Sequence, residues 1–346
     1  MSRYPVLLAL TALHLAAADP RVVYQGSTGP GRGKHIVLIA GDEEYRSEEA
    51  LPQLGRILAE RHGFRCTVLF PIDRKDGTIN PEETGNIPGL GALAGADLMI
   101  LFTRFRELPD EQMRHIDDYV HSGRPIIGLR TATHAFRYGE GSISRYRHYD
   151  FRSTTWDGGF GRQVLGETWI SHHGHHAVQS TRGVIAGSMK AHPIVRGCED
   201  IWGPSDVYTV TLPLPGDSQP LVLGQVLEGM RPSDKPIVGV YAQEVRGKRI
   251  EKTPNDPMMP VAWTRTFTGR SGKSARVFTT TMGAAVDLES EGLRRLLVNA
   301  AYWCLGMEEK ILRRSNVNLV GEFRPTFFGF GKYRRGLSPK DFAVTP

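Results

Sequence analysis

The segment Trp169-Ile-Ser-His172-His173-Gly174-His175-His176 places four imidazoles within five residues. Imidazole is the common protein ligand for zinc, copper, iron and nickel, and a pKa near neutrality also makes it an acid or base at working pH. Alternate side chains of an extended chain share a face, so His173 and His175 point one way; His172 and His176 join them only through a bend at Gly174. A divalent metal such as zinc held on His172, His173, His175 and His176 still wants a carboxylate or a further histidine, and Glu167, His134, His148 and Asp206 are the candidates. The spacing matches no established zinc signature. Two other readings therefore stand beside metal binding: histidines lining a sugar pocket as hydrogen-bond donors, and a solvated polar loop.

A second set of groups follows apolar runs. Arg104, Arg106 and Arg130 offer fork-shaped donors suited to a carboxylate, a phosphate or vicinal sugar hydroxyls. Asp42 and Glu43 can pair with them, and Thr131 adds a hydroxyl. His134 and Glu43 are the candidate catalytic groups, with Asp42, Arg104, Arg106, Arg130 and Thr131 as candidate substrate contacts. The same residues equally form an ion-pair network capping a sheet, and His134 equally a satisfied buried histidine. Trp156, Trp169, Trp202 and Trp263 can stack on a pyranose face or simply fill a core.

The elements that would position these groups read as alternating strands and helices. His35–Ala40, 66–70, 97–102 and 125–129 are continuous apolar runs, as expected of strands buried on both faces of a parallel sheet. Helical stripes follow the first (Leu51, Leu54, Ile57, Leu58, ending near Gly63, with Pro52 setting the start of regular turns) and the third (Met113, Ile116, Val120, opened by Pro109). A late strand, 276–281, leads to a closing helix over about 289–305. This pattern predicts an α/β fold, a flavodoxin-like doubly wound and mostly parallel sheet whose site lies beyond the carboxyl ends of the strands. Residues 148–260 are less regular and read as an inserted lobe, with strands at 221–226 and 236–242.

Taken together, Gly41-Asp42-Glu43-Glu44-Tyr45-Arg46-Ser47-Glu48-Glu49, Gly128-Leu-Arg-Thr-Ala-Thr-His134, Ala191-His192-Pro193-Ile194, and Pro260-Val-Ala-Trp263 with Arg276-Val-Phe-Thr-Thr-Thr-Met-Gly283 resemble the ThuA-like (trehalose utilisation) family, in the form of exported members from planctomycete-type bacteria. The resemblance covers roughly His35 to Gly306. It implies the class I glutamine amidotransferase-like fold and a link to disaccharides and their keto derivatives. True amidotransferases carry a cysteine nucleophile on the turn matched here by Gly128-Leu129-Arg130. A permanently protonated guanidinium cannot attack a carbonyl, so glutamine hydrolysis through a thioester is excluded at this position. Many relatives also show Gly-His after the late strand, where this chain has Gly283-Ala284.

The chain has 346 residues, with 43 Lys and Arg against 37 Asp and Glu, enough for a full core and too nearly balanced to imply a nucleic-acid partner. Three cysteines without a CxxC pair exclude a disulfide scaffold and a zinc ribbon. Residues 1–18 carry Arg3, an apolar stretch and Ala16-Ala17-Ala18, the layout of a secretory signal cleaved near Ala18; the stretch is too short for a stable membrane anchor. The expected organisation is a signal over 1–18, a linker over 19–34, a ThuA-like domain over 35–306 and a basic, aromatic tail over 307–346. Gly31-Arg32-Gly33-Lys34 resembles a phosphate loop only faintly, since Thr28 and His35 stand where Gly and Ser or Thr are required. The partner expected is a small-molecule carbohydrate; homo-oligomerisation is left open, and the tail is expected to wrap the domain and pack its aromatics.

Overall fold

The computed structural model describes residues 19–245 and 247–343, so the expected signal segment lies outside the described residues. Its strands are β1 (Arg21–Gln25), β2 (His35–Gly41), β3 (Arg65–Leu69), β4 (Leu98–Thr103), β5 (Ile126–Leu129), β6 (Ser171–His172), β7 (Thr181–Ile185), β8 (Trp202–Gly203), β9 (Tyr208–Thr209), β10 (Gln219–Val226), β11 (Tyr241–Val245), β12 (Lys248–Lys252), β13 (Met259–Thr268) and β14 (Ser274–Thr280). The helices are α1 (Ser47–His62), α2 (Asp110–Val120) and α3 (Glu291–Cys304).

The strand after His35 is buried on both faces because its side chains serve two cores. Ile36, Leu38 and Ala40 join the cluster containing Leu51, Leu54 and Leu58 of α1 and Leu293, Leu296 and Leu297 of α3. Val37 and Ile39 join Met113, Ile116 and Val120 of α2. Such a strand needs cover on each side, and the helices supply it.

Ten strands form one sheet in the order β1-β3-β2-β4-β5-β14-β13-β10-β7-β8. The run β3-β2-β4-β5-β14 is parallel throughout. Counted among themselves these five strands have the order 2-1-3-4-5, which is the flavodoxin-like arrangement. The irregular stretch between His148 and Pro260 extends this sheet: β13, β10, β7 and β8 join antiparallel beyond β14. Two further ribbons, β6 with β9 and β11 with β12, lie outside it. The strand expected at 236–242 is instead a single bridge at Pro236 followed by β11. Residues 21–25, read as linker, form β1 and close the far edge against β3. Helix α1 starts at Ser47 and carries Pro52 inside it, earlier than the proline suggested.

The tail does wrap the domain. Phe328 and Tyr333 are buried, Tyr24 donates its hydroxyl hydrogen to Phe342 O, and the carboxylate of Glu49 accepts from Thr326.

Candidate functional site

Three residues just past the carboxyl ends of β2, β4 and β5 have left-handed backbone without being glycine: Arg46 at φ 62°, Phe105 at φ 52° and Arg130 at φ 45°. Such conformations are costly and persist where the surroundings enforce them, often at functional rims. The enforcement is visible. Asp42 accepts from the backbone of Glu44 and Tyr45 and from the hydroxyl of Thr131, which ties the loop after β2 to the turn after β5.

Arg130 is wholly buried. Its Nη1 donates to Asp206 O at 2.7 Å, and its Nη2 donates to Asp206 Oδ1 at 2.9 Å and to the Tyr45 hydroxyl at 3.0 Å. The guanidinium lies between the rings of Tyr45 and Tyr208, at 4.3 and 3.9 Å. Burial opposes charge on Asp206, but Arg130 and the neighbouring histidines outweigh it and hold the carboxyl well below the usual carboxylate range.

Asp206 is where the imidazoles meet. β6 pairs with β9 so that His172 lies opposite Tyr208, and the chain then bends through 174–178. His172 and His176, four residues apart, thereby come to one face. His172 Nδ1 stands 2.7 Å from Asp206 Oδ2, and His176 Nδ1 stands 3.2 Å from Asp206 Oδ1. His176 Nε2 lies 3.2 Å from Glu44 Oε1. Burial disfavours the imidazolium, yet the hydrogen bonds to Asp206 and Glu44 prevail and the His176 pKa is pushed up to about 9. Lys252 fixes the backbone of this segment by donating to His172 O and His173 O, each at 3.1 Å. One ligand atom each from His172, His176 and Asp206 lies within 4.8 Å of the others, a spacing that suits a divalent cation.

Of the four histidines, the structure brings only His172 and His176 together. His173 turns away to Pro254 O at 2.8 Å, and His175 buries its Nδ1 without a partner. The carboxylate is Asp206, since Glu167 is committed to Arg162, Thr168 and Thr211, and His148 packs against Tyr149 and Trp156.

The other expected groups are placed as follows. Both oxygens of Glu43 are engaged, one by Arg104 and one by Arg106 at 2.8 Å, so it is the centre of an ion-pair fork with no free base. Asp42, Arg106, Arg130 and Thr131 are closed to solvent and lie beneath the rim. His134 packs among Phe105, Phe151, Trp169 and Tyr208; burial, then Arg104 and Arg130, push its pKa well below the ordinary value, so near neutrality it is the uncharged imidazole. Arg104 and its partner Glu43 reach the rim surface, Arg104 held between the rings of Phe105 and Phe330.

Glu44, Tyr45, Tyr208 and the tail residues Phe328 and Phe330 complete the rim and were not singled out from the sequence. Phe328 packs on Tyr45 and His176, and Gly329 N–H donates to Glu44 O at 2.8 Å. Glu44 and Tyr45 lie inside the motif after the first strand; nothing local marks Tyr208 or the tail phenylalanines as rim residues.

No protein-family model matches the chain, and neither does any curated protein sequence. Among solved structures it is similar to a ThuA-like protein from Parabacteroides merdae, with a TM-score of 0.47 and 15% identity, covering 90% of this chain and 99% of that one. It is also similar to a ThuA-like protein from Bacteroides uniformis, with a TM-score of 0.45 and 14% identity, covering 80% of this chain and 93% of that one. Both are ThuA-like, the family that the motifs of this chain resemble. An exo-β-1,4-mannosidase from an Opitutaceae bacterium gives a TM-score of 0.29 at 9% identity, over 79% of this chain and 36% of that one.

Proposed function

We propose that this chain is an exported ThuA-like protein that binds a sugar or keto-sugar at the carboxyl edge of the sheet and transforms it, with His172 moving the proton. The observation that carries this reading is the Asp206–His172 pair. A buried carboxylate accepts from Nδ1 while the imidazole remains 39% exposed, which fixes the tautomer and leaves Nε2 as a base facing solvent. On a keto-sugar such a base removes a proton next to the carbonyl. Arg104 sits at the same rim as a donor for hydroxyl or carbonyl oxygen. The family resemblance of the motifs supports the sugar class.

A second reading rests on the spacing of His172, His176 and Asp206. Two imidazoles and a carboxylate form a donor set for zinc or iron(II), and the ion would supply polarisation of a substrate oxygen. Under either reading the cysteine chemistry of glutamine amidotransferases has no place here.

The test is turnover of disaccharides and their oxidised keto derivatives, followed by chromatography, together with metal analysis of the purified mature protein. His172→Ala should lower turnover by at least about a hundredfold, and His173→Ala should leave it nearly intact. Stoichiometric metal lost on His172→Ala or His176→Ala and kept on His173→Ala and His175→Ala supports the second reading. Sugar binding without turnover by any variant would make the protein a non-catalytic carbohydrate module. A mature protein whose mass begins at Asp19 would support export.

A further inference from the structure

A cavity of about 580 Å³ lies at the start of α3, walled by the 197–202 loop and by residues 313–314, and none of the rim groups lines it. Its volume falls within the range of small-molecule pockets, about 300–1,000 Å³. The walls are held by direct backbone contact. A Cβ on Gly292 would fall 2.1 Å from Glu199 O, and one on Gly197 would fall 1.8 Å from Arg313 O.

Several charged groups of the lining are unpaired. Glu199, Asp200 and Glu289 line the space with Arg313 and Arg314, and among the described residues none of these five forms an ion pair. Arg295 is about nine-tenths buried in the same wall; its Nη2 is held by Glu291 at 2.7 Å, and its Nε has no partner. Trp202 is fixed at both ends, its Nε1–H donating to Ser180 Oγ at 3.3 Å and its backbone N–H to Ser290 Oγ at 3.2 Å. With its polar atom satisfied, the half-buried indole offers the cavity carbon.

We propose that this cavity is a second ligand site, for a neutral saccharide. An anion would meet the unpaired carboxylates and a cation the unpaired guanidinium groups, whereas sugar hydroxyls donate to the first and accept from the second at once. The carbon-bearing face of a pyranose matches the exposed face of an indole. This inference stands on residues separate from the Asp206 cluster and does not depend on the reaction proposed there.

Calorimetric titration of the mature protein with maltose, cellobiose and sucrose into the millimolar range tests it, with inorganic phosphate and glycine as charged controls. At least one disaccharide should saturate. Trp202→Ala and Asp200→Ala should each weaken it by about tenfold or more through the lost stacking and hydrogen bonding. Trp202→Phe, which keeps an aromatic face, should recover much of the affinity and controls for misfolding. The same titration in a His172→Ala, Arg104→Ala background separates the two sites: affinity kept there and lost in Trp202→Ala places the sugar in this cavity. Affinity lost in the rim variant and kept in Trp202→Ala overturns the proposal, as does the absence of saturation by all three sugars or a preference for phosphate or glycine.

Discussion

Arg130 and Asp206 form an ion pair with both side chains closed to solvent, Nη2 standing 2.9 Å from Oδ1. The guanidinium lies on the turn after β5 and acts there as a fixed backing for the carboxylate that holds two histidines.

Removing one partner of such a pair strands the other. Asp206→Asn should destabilise the protein by about 3–5 kcal/mol, read as a lower urea midpoint at unchanged slope. An apolar replacement of both partners, Asp206→Leu with Arg130→Met, should be more stable than the Asp206→Asn protein; an additive loss would contradict the coupling.

Stability should fall with rising pH through His176. Its folded pKa of about 9 lies above the ordinary 6.5, so its contribution is whole below about pH 6.5 and lost by about pH 9. Glu48, which burial pushes up to about 8 from 4.5, adds a fall of its own at lower pH. Urea unfolding in EDTA should therefore show a stability difference between wild type and His176→Gln that is constant below about pH 6.5 and shrinks between about 6.5 and 9. Parallel curves across that window would refute the assignment.

The tail depends on one ring more than on its neighbours. Phe328 is buried against Tyr45 and His176, whereas Phe330 is 60% exposed. Phe328→Ala should cost about 3 kcal/mol and open Arg324 and Arg334 to trypsin. Phe330→Ala should change stability by less than about 0.5 kcal/mol. Equal protease sensitivity of the two variants would argue against this anchoring.

Glutamine should not be hydrolysed, and Arg130→Cys should not restore the reaction, because it leaves Asp206 buried without its counter-charge. Ammonia release measures the first point, and thermal unfolding of the variant measures the second. Steady ammonia release by Arg130→Cys would show that the rim tolerates a thiol.

The parallel half of the fold was legible because its strands are continuously apolar, a pattern that follows from helices on both faces. Within residues 148–260 the strand expected at 221–226 is β10, whereas β7 and β8 were hidden because β7 is only partly buried and β8 is two residues long. β1 was missed for a related reason: an edge strand buries only alternate residues, here Val22 and Tyr24. At the site, clustering of histidines pointed to the right segment, but the choice among them needed the bend at 174–178 and a partner thirty residues away. Arginine spacing located the carboxyl edge without revealing that Arg106 and Arg130 are sealed beneath it.

The clasp between Gly329 and the loop after β2 joins segments 283 residues apart in the chain. A nascent chain halted before Phe328 lacks the ring that covers Tyr45, so the rim is completed only after the sheet and helices between these two segments have been made.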